Sequence, residues 1–242
     1  MTIFIWLSKI TDIILNEEPE GEIYLNDMNK TRIDKANWER REIFDFFSAS
    51  SDPFYMVTFK QDVTNLYRYA KEKGISFYYA LVYLCTEAVN SVEAFSYTVE
   101  NGEIYRLDKR IPSFTDLKKG KETFHIVTMD LGGGLDEFCR RAAEKSAAQK
   151  CFICEDEEGE ELIYFSCAPW FEMTALTNEK YLDGQGAKDN SIPHMAWGKY
   201  ADEGGRKILH ISVEVNHRFI DGIHIGKFHQ NLAELIEVLH CQ

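Results

Sequence analysis

The stretch Val213-Glu-Val-Asn-His-Arg-Phe-Ile-Asp-Gly-Ile-His-Ile-Gly-Lys-Phe228 decides how this chain is read. A valine- and isoleucine-rich strand runs up to His217, a short loop passes through Asp221-Gly222, and a helix begins. Leu209, Ile211, Val213, Val215 and His217 share one strand parity, with His210, Ser212, Glu214 and Asn216 on the other, so His217 is expected on the apolar side. Downstream, Ile225, Phe228, Leu232, Leu235, Ile236 and Leu239 recur at spacings of three and four, the mark of an amphipathic helix. Strand, loop and helix together would hold an imidazole in one rotamer, as a general base requires. The same pattern also suits a histidine that only packs in a core, with Asp-Gly as a common turn.

The rest of the chain supplies the frame. Its 242 residues can bury a core without staples, and 45% hydrophobic residues with 13% aromatics fit a globular protein. A net charge of -13 argues against a nucleic-acid partner, which calls for a basic face. The six cysteines are scattered and no secretory leader is recognised, so a reduced, cytoplasmic protein is expected. Cys151-Phe-Ile-Cys154 has zinc-like spacing but neither a second pair nor spaced histidines, and no metal site is expected. The opening MTIFIWLSKITDIIL lacks a positive n-region and a cleavage site and is too short to span a bilayer. Residues 1–27 read as an N-terminal extension of uncertain order, followed by one domain over 28–242.

Periodicity predicts a helix from Asn37 with Trp38, Ile43, Phe46 and Phe47 as its apolar stripe, and a strand over 54–63. A helix capped by Thr64 and stopped by Gly74 comes next, then a helix over 77–90 that is apolar nearly all round. Asn101-Gly102 between alternating runs signals a β-hairpin over 95–108. Strands are expected in SFTDL and ETFHIVTMD, then, after a flexible Gly132-Gly133-Gly134 connector, a polar helix from Leu135. Three more strands follow: EELIYFSCAPW, SIPHMAWGKY and RKILHISVEVNH. One α/β domain with a mixed sheet fits.

His217-Arg-Phe-Ile-Asp221-Gly222 matches the HxxxDG signature of CoA-dependent acyltransferases, and the chain resembles most closely the trimeric chloramphenicol acetyltransferases. From about Ile33 onward the family's blocks occur in order. They are NWERREIF, FYYALVYL with AVN, PSFT with ETF, Ser166-Cys-Ala-Pro-Trp170, Gly198-Lys199-Tyr200 and HxxxDG. The resemblance implies a two-layer α/β sandwich, acetyl-CoA as acyl donor, a small hydroxylated acceptor such as chloramphenicol, and a homotrimer with sites between subunits; a membrane partner is not implied. It assigns the general base to His217 and oxyanion stabilisation to Ser166. It gives Asp221 a structural pairing with Arg40 rather than a triad role. It points to Trp170, Lys199, Tyr200 and Tyr78 for CoA contact, and to Phe47 and Tyr55 for the acceptor. Departures are Asn216 for the family's first of two histidines, Ala196 near a usual threonine, Phe47 for a tyrosine, and Ser76 for a basic residue. Other readings are the same chemistry on a different small alcohol, a non-catalytic trimeric ligand binder, and the core of a 2-oxo acid dehydrogenase complex, whose lipoyl domain and Pro/Ala-rich linkers have no counterpart here.

Overall fold

A computed structural model describes residues 30–118, 120–154, 159–179 and 190–239. The expected extension over 1–27 therefore lies outside the described residues.

The strand that leads to His217 is β10 (Arg206–Asn216), and it organises the main sheet. It pairs antiparallel with β2 (Phe54–Asp62) on one side and with β8 (His194–Trp197) on the other. From β8 the sheet continues in parallel through β7 (Leu162–Cys167) to β5 (Ile111–Leu117), and ends antiparallel on β6 (Phe124–Thr128). The short β9 (Ala201–Glu203) folds back on β10 through Gly204-Gly205, both at positive φ. The sheet is mixed, as expected.

Helices form the second layer. α3 (Phe77–Asn90) is the central one, lying against β5 and β7 and against α2 (Thr64–Lys73), α4 (Leu135–Ala148) and α5 (Gly222–Glu237). Ala80, Leu81, Val82 and Cys85 within it are fully buried. Each buried Leu or Val there contributes roughly 1.5–3 kcal/mol of transfer free energy, which explains why its sequence is apolar nearly all round. Ser76 caps this helix by accepting from the Tyr79 amide at 3.3 Å.

A small antiparallel sheet, β1 (Lys30–Arg32), β4 (Glu103–Leu107) and β3 (Tyr97–Glu100), stands beside the main one. Its hairpin turns at Asn101 (φ 52°) and Gly102 (φ 81°), the two positive φ values that a two-residue turn of this kind requires. Buried Arg110 joins the two sheets: its guanidinium donates to the carbonyls of Phe95, Tyr97, Glu160 and Leu162. Burial lowers its pKa to about 10.

Four local expectations are corrected. α1 spans Arg41–Ser48, and Lys35–Asn37 is instead a 3-10 turn capped by the Asp34 carboxylate. Within α1 Phe44 is the buried residue, while Ile43 and Phe46 are 41% and 74% exposed; of the expected stripe only Trp38 and Phe47 pack inward. Val63 occupies the cap position of α2, and the Asp62 carboxylate accepts from the Thr64 amide at 3.0 Å. The triple glycine is also more than a flexible connector, because Arg141 donates to the Gly132 carbonyl and pairs with Asp130.

Candidate active site

The loop after β10 is held from within. Asn216, fully buried, accepts at its Oδ1 from the Arg218 amide (2.9 Å) and from Arg218 Nε (3.1 Å), while the amides of Phe219 and Ile220 donate to its backbone carbonyl at 3.1 Å. Phe219 and Ile220 are buried anchors. Asp221 then stands at the N-cap of α5, where a carboxylate faces the positive end of the helix dipole, and its amide donates to His224 Nδ1 at 2.9 Å.

Arg40, immediately before α1, clamps this loop. Its Nη1 and Nη2 donate to the two carboxylate oxygens of Asp221 at 2.5 and 2.7 Å, its Nε to the Arg218 carbonyl at 2.8 Å, and Nη2 also to the His217 carbonyl at 3.0 Å. The hydrogen bonds from Arg40 are the main reason the Asp221 carboxyl is held below its ordinary pKa. Burial, with the Arg40 charge second, lowers the His224 pKa and keeps that ring neutral as the acceptor its cap role needs.

His217 follows directly on β10 and lies between two rings. Phe47 of α1 stacks on its imidazole at 3.9 Å between centroids and 22° between planes, and Tyr55 of β2 lies at 4.4 Å and 41°. The side chain keeps 34% exposure, so its ring reaches solvent. Nε2 is 3.4 Å from Asp221 Oδ1, beyond a normal hydrogen bond, and that carboxylate is already engaged by Arg40. The Tyr55 hydroxyl donates to the Ile220 carbonyl at 3.1 Å, and burial pushes its phenol up to about 12.

A second group gathers at the other end of the sheet. Ser166, half-buried on β7, is in register with Ala196 of β8, which is in turn in register with Ser212 of β10. Trp170, 68% exposed, and the exposed Lys199 follow the C-terminal ends of these parallel strands. Gly198 lets the two turns meet, since a Cβ there would stand 2.6 Å from the Phe171 carbonyl oxygen, and the Lys199 amide donates to that oxygen at 2.7 Å. Tyr200 sits edge-on to Tyr67 and Phe77. Tyr78, half-buried, packs against Phe114 and Trp197, and its hydroxyl donates to the Thr115 carbonyl at 2.8 Å.

The two groups do not meet within one chain. His217 is five residues beyond Ser212 and Ser166 two strands away, roughly 17 Å along the sheet and about 10 Å across it. A donor to an oxyanion has to come within about 3 Å.

The polar parity of β10 was expected to face away from the core, yet Ser212 and Glu214 are buried. The chain at 176–178 crosses over them, and the amides of Leu176 and Asn178 donate to Ser212 Oγ (3.2 Å) and Glu214 Oε2 (3.1 Å). Asp221-x-x-His224 has the spacing of a capping box, and His224 Nδ1 accepts from the Asp221 amide. Among the described residues no cluster of His, Cys, Asp or Glu is arranged to hold a metal ion, and no helix is long and apolar enough to cross a membrane.

Known proteins resemble this chain in both sequence and fold. The family model described as chloramphenicol acetyltransferase matches residues 28–233. A chloramphenicol acetyltransferase of Clostridium perfringens is 32% identical over 211 residues, covering 85% of this chain and 97% of the relative. Chloramphenicol acetyltransferase 3 of Escherichia coli is 28% identical, with 86% and 97% covered. Among solved structures, a chloramphenicol acetyltransferase superposes with a TM-score of 0.75 at 24% identity over 86% of this chain and 99% of that one. The cubic core of a pyruvate dehydrogenase complex shares the fold at a TM-score of 0.60 and 17% identity, with 93% and 98% covered. The chain belongs to the chloramphenicol acetyltransferase family.

Proposed function

We propose that this protein is an acetyl-CoA-dependent O-acetyltransferase acting on chloramphenicol or a similar small hydroxylated acceptor. The observation that carries the reading is the solvent-reaching imidazole of His217, clamped between two aromatic rings on a loop fixed by the Arg40–Asp221 pair. In the reaction His217 takes the proton of the acceptor hydroxyl and the oxygen attacks the thioester carbonyl carbon. Ser166 donates a hydrogen bond to the resulting oxyanion. The C–S bond then breaks, and the CoA thiolate leaves with the proton from the imidazolium. No acyl-enzyme forms, because no nucleophile of the chain enters the scheme. Asp221 acts on the loop rather than on the imidazole, since Arg40 holds both of its oxygens.

Ser166 and His217 of one chain are too far apart to serve one carbonyl. That separation supports a homotrimer in which Ser166, Trp170, Lys199 and Tyr200 of one subunit face His217, Phe47 and Tyr55 of the next. Trp170 and Lys199 are exposed and offer an aromatic face and a cation to the CoA moiety. The reading treats 28–242 as one domain and places the protein in the cytoplasm, where acetyl-CoA is made and used, with antibiotic inactivation as its role.

One observation favours a broader acceptor range. The rings beside His217 present no spare hydroxyl donor, because Phe47 has none and that of Tyr55 already donates to the Ile220 carbonyl. An acceptor with a flat apolar part suits them, and other aromatic alcohols fit as well as chloramphenicol.

Subunit complementation tests the shared site. His217→Ala and Ser166→Ala proteins, each impaired alone, are unfolded together and refolded as a mixture; the proposal expects turnover well above the sum of the separate variants. No recovery in mixed oligomers would overturn the shared site. Thiol release from acetyl-CoA with a panel of hydroxylated acceptors ranks the substrates, and no acceptor-dependent release from any of them would overturn the activity.

A further inference from the structure

The Cys151-x-x-Cys154 motif is left unused by the acetyltransferase chemistry. Of the described cysteines, Cys85 and Cys139 are buried, and burial pushes both thiols up, that of Cys139 to about 12. Burial does the same to Cys167, also to about 12. These are poor thiolates. Cys151 is exposed and Cys154 half-buried, and their sulfurs face each other at 2.8 Å.

The turn carrying the pair is held on both sides. Where α4 ends, the Gln149 amide donates to the Lys145 carbonyl at 2.9 Å, and Gln149 Nε2 donates to the Ile126 carbonyl at 2.7 Å. Between the cysteines, the Phe152 carbonyl accepts from the Ile126 amide of edge strand β6 at 2.8 Å, and the Phe152 ring packs edge-on against Phe124 at 5.5 Å. The thiols are thus brought together by backbone contacts that do not depend on their oxidation state. A disulfide of about 2.05 Å needs the sulfurs to approach by only about 0.8 Å more.

We propose that Cys151 and Cys154 form a redox modification site, a dithiol that closes to a reversible disulfide by exchange with a small disulfide of the glutathione type. The Cys151 thiolate attacks one sulfur of the oxidant, forming a mixed disulfide and expelling one molecule of reduced thiol. Cys154, as thiolate, then attacks Cys151 Sγ and expels the second. The protein loses two protons and two electrons, and the oxidant gains them as two thiols. The ring spans four residues on the surface, and short, exposed disulfides of this kind are readily reduced again. The site lies by edge strand β6, at the far side of the sheet from β2 and His217.

The test uses the full chain, incubated with excess oxidised glutathione, then alkylated and mapped by peptide mass. Expected is the joint loss of alkylation at Cys151 and Cys154, a peptide containing both that is lighter by two hydrogens, and full reversal by dithiothreitol. In Cys154→Ser the reaction should stop at a glutathione adduct on Cys151. Two results overturn the proposal: a glutathione adduct that persists on Cys151 in the unsubstituted protein, or both thiols staying alkylatable under excess oxidant.

Discussion

Replacing Arg40 by alanine removes a guanidinium that makes two hydrogen bonds to the Asp221 carboxylate and two to the carbonyls of His217 and Arg218. Breaking a fully buried ion pair costs ~3–5 kcal/mol and a fully exposed one ~0–1 kcal/mol. The side chains of Arg40 and Asp221 retain 13% and 31% exposure, which puts this pair between the limits, at about 2–3 kcal/mol. For a chain of this size that is a fall in Tm of ~4–12 °C. Asp221→Asn should cost a similar amount, because it leaves the guanidinium without its anion. The double variant should be hardly worse than either single one, leaving a coupling of at least ~1 kcal/mol. The assay is denaturant unfolding of the four proteins at one protein concentration, with acetyl transfer measured in parallel. The shifts of Asp221 and His224 are both downward, so the unfolded chain binds protons more readily than the folded one. Stability from Asp221 is present above the ordinary carboxylate pKa and lost as pH falls through its lowered folded value; that from His224 is present above the ordinary imidazole pKa and lost on acidification likewise. Arg40→Ala should flatten the acid limb of this profile. Additive costs in the cycle, or a fully stable but inactive Asp221 variant, would refute the loop-holding role and favour a carboxylate that acts on the imidazole.

Gly198→Ala should destabilise by ~1–3 kcal/mol, since its Cβ would meet the Phe171 carbonyl oxygen at 2.6 Å; unchanged thermal unfolding would refute the close approach. Ser166→Ala should lower kcat by ~10²–10³ with KM for the acceptor little altered, and an unchanged kcat in steady-state assays would remove its oxyanion role. Tyr55→Phe loses the bond to the Ile220 carbonyl and should cost about 1 kcal/mol by denaturant unfolding while the ring stays beside His217; a gain in stability would contradict that bond.

Much of this was legible in the residues because local rules and the global fold agree. The Asn101-Gly102 hairpin, the Gly74 helix stop and the apolar α3 each follow from turn chemistry or hydrophobic period alone. HxxxDG located the loop after β10. What periodicity could not fix were contacts made by distant chain segments. Phe44 and Phe46 are alike in sequence, and only the packing of Phe44 with Trp38 and Phe219 decides which is buried. The burial of Ser212 and Glu214 depends on the chain at 176–178 crossing β10, a tertiary event with no period. The placement of Ser166 away from His217 follows from the antiparallel pairing of β10 with β8, which the motifs by themselves do not carry. His224 was within reach, by its capping-box spacing.

The most direct test of the central claim compares the unsubstituted protein with His217→Ala in thiol release from acetyl-CoA, with and without chloramphenicol, after circular dichroism has established that both are folded. The account predicts acceptor-dependent release that falls by at least ~10²-fold in the variant. Equal rates in the two folded proteins would contradict it.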